Sequence, residues 1–275
     1  MAGKILFVLT EWGYWGEECT GPYNAVKEAG YEPVLLTPTG KRPTVLGVSL
    51  DPTYVDPPLA RPVTTAETAK AVAEVEKSGW LDKPMNLSEW FPLRPYFSSS
   101  SYVRDMEHYY DRLDALQKDI AQYDSMVIVG GSGAMVDLAN NQRLHDLIMG
   151  FLKQDKPVAA ECYGVACFAF ARSLEDRKSL IWGRHVTGHC IEYDYKDGTG
   201  FTQTGSTNFG PPFYPLEYIL RDAVGPNGQY HGNVGRRTSV IVDYPFVTSR
   251  STAESYECGQ VLVQVLKKGL RRYGW

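Results

Sequence analysis

Apolar residues fall along this chain in two rhythms. Continuous apolar runs of strand length recur: "KILFVLT" first, then "EPVLLTP", "DSMVIVGG" and "PVAAEC". Runs of this kind, bounded by Gly, Pro or polar residues, predict buried strands. Between them the apolar positions spread to helical spacing. Ala25, Val26 and Ala29 define one helix, which Gly30 ends. "NQRLHDLIMGFLKQDK" is amphipathic and "STAESYECGQVLVQVLKKGL" reads as a closing helix. "VACFAFAR", rich in Ala and Phe, predicts the first turns of a packed helix. "RHVTGH" predicts a further strand, and "TSVIVDYPFVTSR" a strand pair about a tight Tyr-Pro turn.

Strands that alternate with helices need crossover connections, and these favour parallel pairing. The expected fold is therefore α/β: a doubly wound, mainly parallel sheet with helices on both faces. One stretch breaks the alternation. "KRPTVLGVSLDPTYVDPPLARP" is Pro-rich and irregular, and a long polar, amphipathic segment follows it from about Ala66 to Gln122. The expectation is a single domain over residues 1–275, with a helical cap or insert at about 41–122. The insert carries Trp80, Trp90, Phe91, Tyr96, Phe97, Tyr109 and Tyr110. These aromatics suit a lid over a site, and they suit equally a layer packed on the sheet or a dimer interface.

Composition removes several function classes. The 275 residues are 43% hydrophobic with a formal net charge of -4. There is no basic surplus for nucleic acid, and the terminal "KKGLRRYG" suits a helix C-terminus. No apolar run approaches the roughly 20 residues of a membrane span. The chain begins "MAGKILFVLT", and no signal peptide is expected there. Five cysteines, an odd number without framework or zinc spacing, point to free thiols in a cytoplasmic protein. The histidines lack metal-ligand spacing, and no cofactor is expected.

Ligands of doubly wound sheets bind outside the carboxyl ends of the strands, and three such loops carry unusual residues. After "PVAAE" stand Cys162, Tyr163 and Gly164. A thiol at a strand-to-helix turn faces the positive end of a helix dipole, which favours thiolate. A buried free thiol is also ordinary core, and the pattern leaves the two readings open. After "FVLT" stand Glu17 and Glu18 at the start of a helix. They complement its dipole, or one of them reaches the thiol as a proton donor. After "VIV" stand Gly130 and Gly131, whose backbone N–H groups can face an oxyanion or simply turn the chain. His189 ends "RHVTGH"; a lone histidine is more often structure than catalyst. Cys19 and Cys190 are near-site thiols or filler, and Cys167 and Cys258 fall on helical faces as core.

Together and in this order these residues resemble the ThiJ/PfpI superfamily over nearly the whole chain. The motifs that carry the resemblance are "GEECTGPYNAVKEAGYEPVLLTPTG", "YDSMVIVGGSGAMVDLANNQRLHDLI", "KPVAAECYGVACFAFA", "RHVTGH" and "FVTSRSTAESYECGQVLVQVL". "TPTGKRPTVLGVSLDP" followed by "VDPP", with the extra segment before "YDSMVIVGG", is similar to the larger branch of glyoxalase-III-like proteins and heat-shock chaperones.

The resemblance implies a flavodoxin-like sandwich and a homodimer. It implies that Cys162 is the nucleophile. The family's glutamate stands four residues before a proline, and Pro22 makes that residue Glu18 rather than Glu17. Backbone amides of Gly131 and Ser132 would hold the substrate oxygen, and His189 matches a histidine that follows "VT" in some members. The departures matter too. The glyoxalase-like branch has His after its cysteine, where this chain has Tyr163, and often His in "GGHGA", where it has Ser132. The expected function is a cofactor-independent, cysteine-dependent hydrolase, hydratase or lyase on a small electrophilic carbonyl, imine or isonitrile. The alternatives are a glyoxalase or deglycase acting on methylglyoxal or its adducts, and a non-enzymatic redox sensor or holdase chaperone.

Overall fold

The computed structural model describes residues 3–56, 59–193, 215–232 and 239–275; Pro57 and Pro58 of the "VDPP" motif lie outside them. The chain opens with β1 (Lys4–Val8), α1 (Gly16–Glu28) and β2 (Glu32–Thr37). The insert follows as the hairpin strands β3 (Val55–Asp56) and β4 (Arg61–Pro62), α2 (Ala66–Lys77), β5 (Met85–Asn86), α3 (Leu87–Trp90) and α4 (Tyr102–Ile120). Then come β6 (Ser125–Ile128), α5 (Ala134–Asp137), α6 (Gln142–Lys153), β7 (Val158–Glu161) and α7 (Ala166–Phe170). The last part holds β8 (His185–Val186), α8 (Leu216–Ala223), β9 (Gln229–Tyr230), β10 (Val240–Asp243), β11 (Phe246–Ser249), α9 (Ser255–Lys268) and β12 (Arg272–Tyr273).

Eight strands form the main sheet in the order β12-β10-β11-β7-β6-β1-β2-β5. All neighbours from β11 to β5 are parallel, and β10 runs antiparallel to β11 and β12. The expected doubly wound α/β fold is what the chain adopts. Its two layers follow from the period of two along the strands. Leu6 and Val8 of β1, Met126 and Ile128 of β6, and Val158 and Ala160 of β7 face one core with α4, α6, α7 and α8. Ile5 and Phe7, Val127 and Ala159 face the other, against α1, α2 and α9. The continuous apolar runs are thus strands covered on both sides.

Two local expectations change in detail. "RHVTGH" supplies only the two-residue β8, which pairs in parallel with β9 in a separate small sheet. Its next residue leaves the ladder because the Thr187 N–H donates to Thr248 Oγ1 (3.0 Å) and the Thr187 hydroxyl to the His231 carbonyl (2.6 Å). The helix after Cys162 begins as a 3-10 turn over Cys162–Val165 and continues as the five-residue α7.

The insert divides between the layers. Trp80 packs against Phe7 and Tyr23 on the α1 face, and Trp90 against Phe91 and Tyr123 on the other. Tyr109 donates to the buried Asp146 of α6, and β5 extends the main sheet beside β2. Tyr96 and Phe97 stand exposed.

Candidate active site

β1, β6, β7 and β11 lie side by side, all pointing the same way, so the loops leaving their carboxyl ends converge. The β7 loop brings Cys162. Its backbone has φ +50°, a left-handed conformation for a residue with a Cβ. Such strain costs on the order of 1–3 kcal/mol and clusters at functional sites. It lets the chain leave a buried strand and start a helical turn at once, presenting the thiol at the corner. The side chain is buried but is the most accessible of the five cysteines, 6% exposed against 1% or less for the others.

The β1 loop and the first turn of α1 bring Glu18, whose carboxyl is set against the Cys162 thiol. Gly130 makes this approach possible. A Cβ at 130 would lie 2.3 Å from Glu18 Oε2 and 2.7 Å from Cys162 Cβ, so the two side chains meet over a residue that has none. Gly131, at φ +97°, then turns its N–H toward both the Cys162 sulfur and the Glu18 carboxyl. The Tyr163 N–H also faces the sulfur. Ser132 sits buried beside this loop.

His189 arrives from the loop after β8. Its Nδ1 lies 3.4 Å from Cys162 Sγ. The loop is held by the Thr187 bonds and by Tyr230, whose hydroxyl donates to the Gly188 carbonyl at 3.1 Å. The imidazole stacks on the Tyr163 ring, centroids 4.1 Å apart and 21° between planes, and meets Tyr193 edge-on. The side chain next to the cysteine is thus a platform for an imidazole brought from elsewhere in the chain.

Electrostatics set the resting state. Burial, outweighing the hydrogen bond from Cys162, pushes the Glu18 carboxyl up to about 8, and the neighbouring Glu17 adds to the rise. Burial pushes Glu17 up to about 7, offset in part by Thr252. The Cys162 thiol is raised, first by burial and then by the Glu18 charge, while the N–H groups of Gly131 and Tyr163 pull it down. Near neutrality the site therefore holds a thiol, a mostly neutral Glu18 and an imidazole within reach of the sulfur. No group of three or more His, Cys, Asp and Glu among the described residues is arranged to hold a metal ion.

Of the residues singled out in the sequence, Glu18, Gly131, Ser132, Cys162 and Tyr163 follow β1, β6 and β7, and His189 joins them from the loop after β8. Glu17 faces Thr252 instead of the thiol. Sequence reasoning named Gly130 with Gly131 for its backbone N–H, not for the space it leaves between Glu18 and Cys162. It missed the Tyr163 amide and the buried Glu161, which look like any turn amide and any strand end.

The family described as ThiJ/PfpI family-like matches residues 9–188, a span that starts just after β1 and includes the Glu18 turn, the glycine loop and Cys162. The chain belongs to this family. A curated relative, "Glutamine amidotransferase-like class 1 domain-containing protein 1" of Bos taurus, is 36% identical over 146 residues, 53% of this chain and 60% of the bovine protein. The Danio rerio protein of the same name is 25% identical over 195 residues, 70% of this chain and 78% of its own. Among solved structures, the Rapid Encystment Protein 24 kDa of Francisella tularensis superposes with a TM-score of 0.67 at 16% identity, covering 96% of this chain and 99% of its own. Glyoxalase III of Candida albicans gives 0.63 at 16% identity, covering 97% and 98%. At such identities the likeness shows a shared fold. Among the described residues no helix is long and apolar enough to cross a membrane.

Proposed function

We propose that this ThiJ/PfpI chain is a cysteine-dependent enzyme for a small molecule with an electrophilic carbon, carbonyl compounds first among them. The supporting observation is the pair of contacts at one sulfur: His189 Nδ1 at 3.4 Å and the Glu18 carboxyl on the same thiol. His189 takes the thiol proton as Sγ adds to the carbon, which supplies the activation that a buried, protonated cysteine needs. The carbonyl π electrons move to oxygen. That oxygen is met by the N–H groups of the glycine loop, at Gly131 and Ser132, and receives a proton from neutral Glu18. The product of this step is a thiohemiacetal, with the cysteine proton on His189 and the Glu18 proton on the substrate oxygen. The same machinery serves hydration or hydrolysis of an imine or isonitrile.

A methylglyoxal reaction ranks second, and one observation favours it. The imidazole that the glyoxalase-like branch carries next to its cysteine is supplied here by His189, stacked on Tyr163. Redox sensing ranks third, because sensor thiols are exposed and low in pKa, whereas Cys162 is buried and raised. The test is turnover of a panel of small aldehydes, 2-oxoaldehydes, imines and isonitriles by the wild type and Cys162→Ser. Consumption of at least one member that Cys162→Ser abolishes is the expected result. Consumption unaffected by the substitution would overturn the reading.

A further inference from the structure

"RHVTGH" carries a second histidine, His185, which the mechanism above leaves unused. It is the first residue of β8, and His231 follows directly on β9, the strand paired with β8. His185 Nδ1 and His231 Nε2 lie 2.9 Å apart, and both residues are half-buried. The His185 ring is stacked on the Trp275 indole, centroids 3.4 Å apart and 11° between planes. Trp275 is fixed in turn: its Nε1 donates to the Val242 carbonyl at 2.7 Å, and the Arg272 guanidinium lies 3.8 Å from its ring centroid. His185 is thereby held against its partner.

Two imidazole nitrogens at this distance share one proton: one donates, and the other must be bare to accept. A second proton leaves two N–H groups facing each other with no acceptor and sets two cations side by side. The charged groups around the pair come from each neighbouring element. From β10, Asp243 accepts the His185 backbone N–H at 2.8 Å and the Arg184 guanidinium at 3.3 Å. From β12 comes Arg272, and beside β9 the Gly232 carbonyl takes Nη1 of Arg250 at 3.2 Å. Burial lowers the His185 pKa; Asp243 raises it and Arg272 lowers it further. Burial also lowers His231, and the neighbouring His185 adds to the fall. A single carboxylate, already paired with Arg184, favours one imidazolium here and not two.

The backbone of the same pair leads to the active site. The His231 N–H donates to the Val186 carbonyl at 2.8 Å, and the His231 carbonyl accepts the Thr187 hydroxyl at 2.6 Å. Thr187 stands two residues before His189, whose Nδ1 is 3.4 Å from Cys162 Sγ. We propose that the His185–His231 pair is a pH gate on the active site: uptake of a second proton breaks the imidazole bond, shifts His231 and slackens the Thr187 bonds that hold His189 against Cys162. This rests on the reading of His189 as the base that serves Cys162.

The test first reads the pair apart from the catalytic imidazole, by NMR of His189→Ala and of His189→Ala/His231→Phe against pH. In His189→Ala the His185 and His231 ring nitrogens should titrate as a pair in two steps, the second proton binding below the ordinary imidazole value of about 6.5. The Thr187 amide should shift with that second step, and the added His231→Phe should abolish the shift. A Thr187 amide that stays still, or that shifts equally in both proteins, overturns the proposal. The second arm is the rate of Cys162 alkylation by iodoacetamide against pH. Between about pH 7.5 and about pH 5.5 the wild-type rate should fall about threefold or more further than that of His231→Phe, because only the fraction with an intact pair is competent. Equal falls overturn the proposal. Failure of the parent reading is distinct: His189→Ala would then be alkylated as fast as the wild type, and the proposal falls with it. Should His231→Phe fail to fold, His185→Phe, which equally leaves no second imidazole, takes its place.

Discussion

Two residues set the geometry of the thiol: Cys162, held at φ +50°, and Gly130, over which Glu18 and Cys162 meet. A methyl group at 130 would stand within 3 Å of both side chains and of the Glu161 carbonyl. Gly130→Ala should therefore separate acid from thiol and lower stability by about 1–3 kcal/mol, the usual cost of overpacking. Thermal denaturation and the alkylation profile check the two parts separately; an unchanged melting temperature with an unchanged profile would mean the loop yields freely. A protonated Glu18 is required as proton donor, so turnover should fall as pH rises through about 8. Glu18→Gln should lower the rate and abolish that limb of the pH-rate curve. At this scale Cys162, Glu18 and His189 were visible in the sequence as candidates, because chemistry-bearing residues at strand ends stand out. Glu161 was not, since nothing in "PVAAEC" tells which face its last strand residue takes.

The elements explain why residues far apart in sequence meet. The loops after β1, β6 and β7 converge because those strands are adjacent and parallel, and this much was legible from the alternation of apolar runs and helices. His189 was legible only as a strand-end residue. Its register depends on tertiary bonds: the Thr187 N–H to Thr248, the Thr187 hydroxyl to His231, and Tyr230 to the Gly188 carbonyl. No local pattern encodes such bonds. Thr248→Val removes the acceptor for a buried N–H and should cost about 1–3 kcal/mol. It should also reduce the His189-dependent alkylation of Cys162 while leaving the sheet intact by circular dichroism. Full His189-dependent reactivity in this variant would show that the loop is positioned by other means. The edge strand β5 was also hidden, because two residues, Met85 and Asn86, are too short a run to carry a period.

The whole molecule carries the consequence of burying several acids around one nucleophile. Glu17 and Glu18 have folded-state pKa values of about 7 and about 8, raised by burial, and Glu161 is raised by burial and by the charge of Glu18. A raised carboxyl means that the folded chain binds more protons than the unfolded one between the ordinary carboxylate range and the raised value. Stability therefore falls as pH rises through that window. The melting temperature should decline from about pH 5 to about pH 8. Glu18→Gln should melt above the wild type at the alkaline end and converge with it at the acid end. A melting temperature that rises across this window would contradict the arrangement of neutral acids.

The central claim is that Cys162 becomes a nucleophile by handing its proton to His189. The most direct measurement is the alkylation rate of Cys162, resolved by peptide mass spectrometry, in wild type and His189→Ala from about pH 5 to about pH 9. In the wild type Cys162 should label before Cys19, Cys167, Cys190 and Cys258. His189→Ala should react about tenfold or more slowly at neutral pH, as removal of a general base does. Equal rates in the two proteins would contradict the claim.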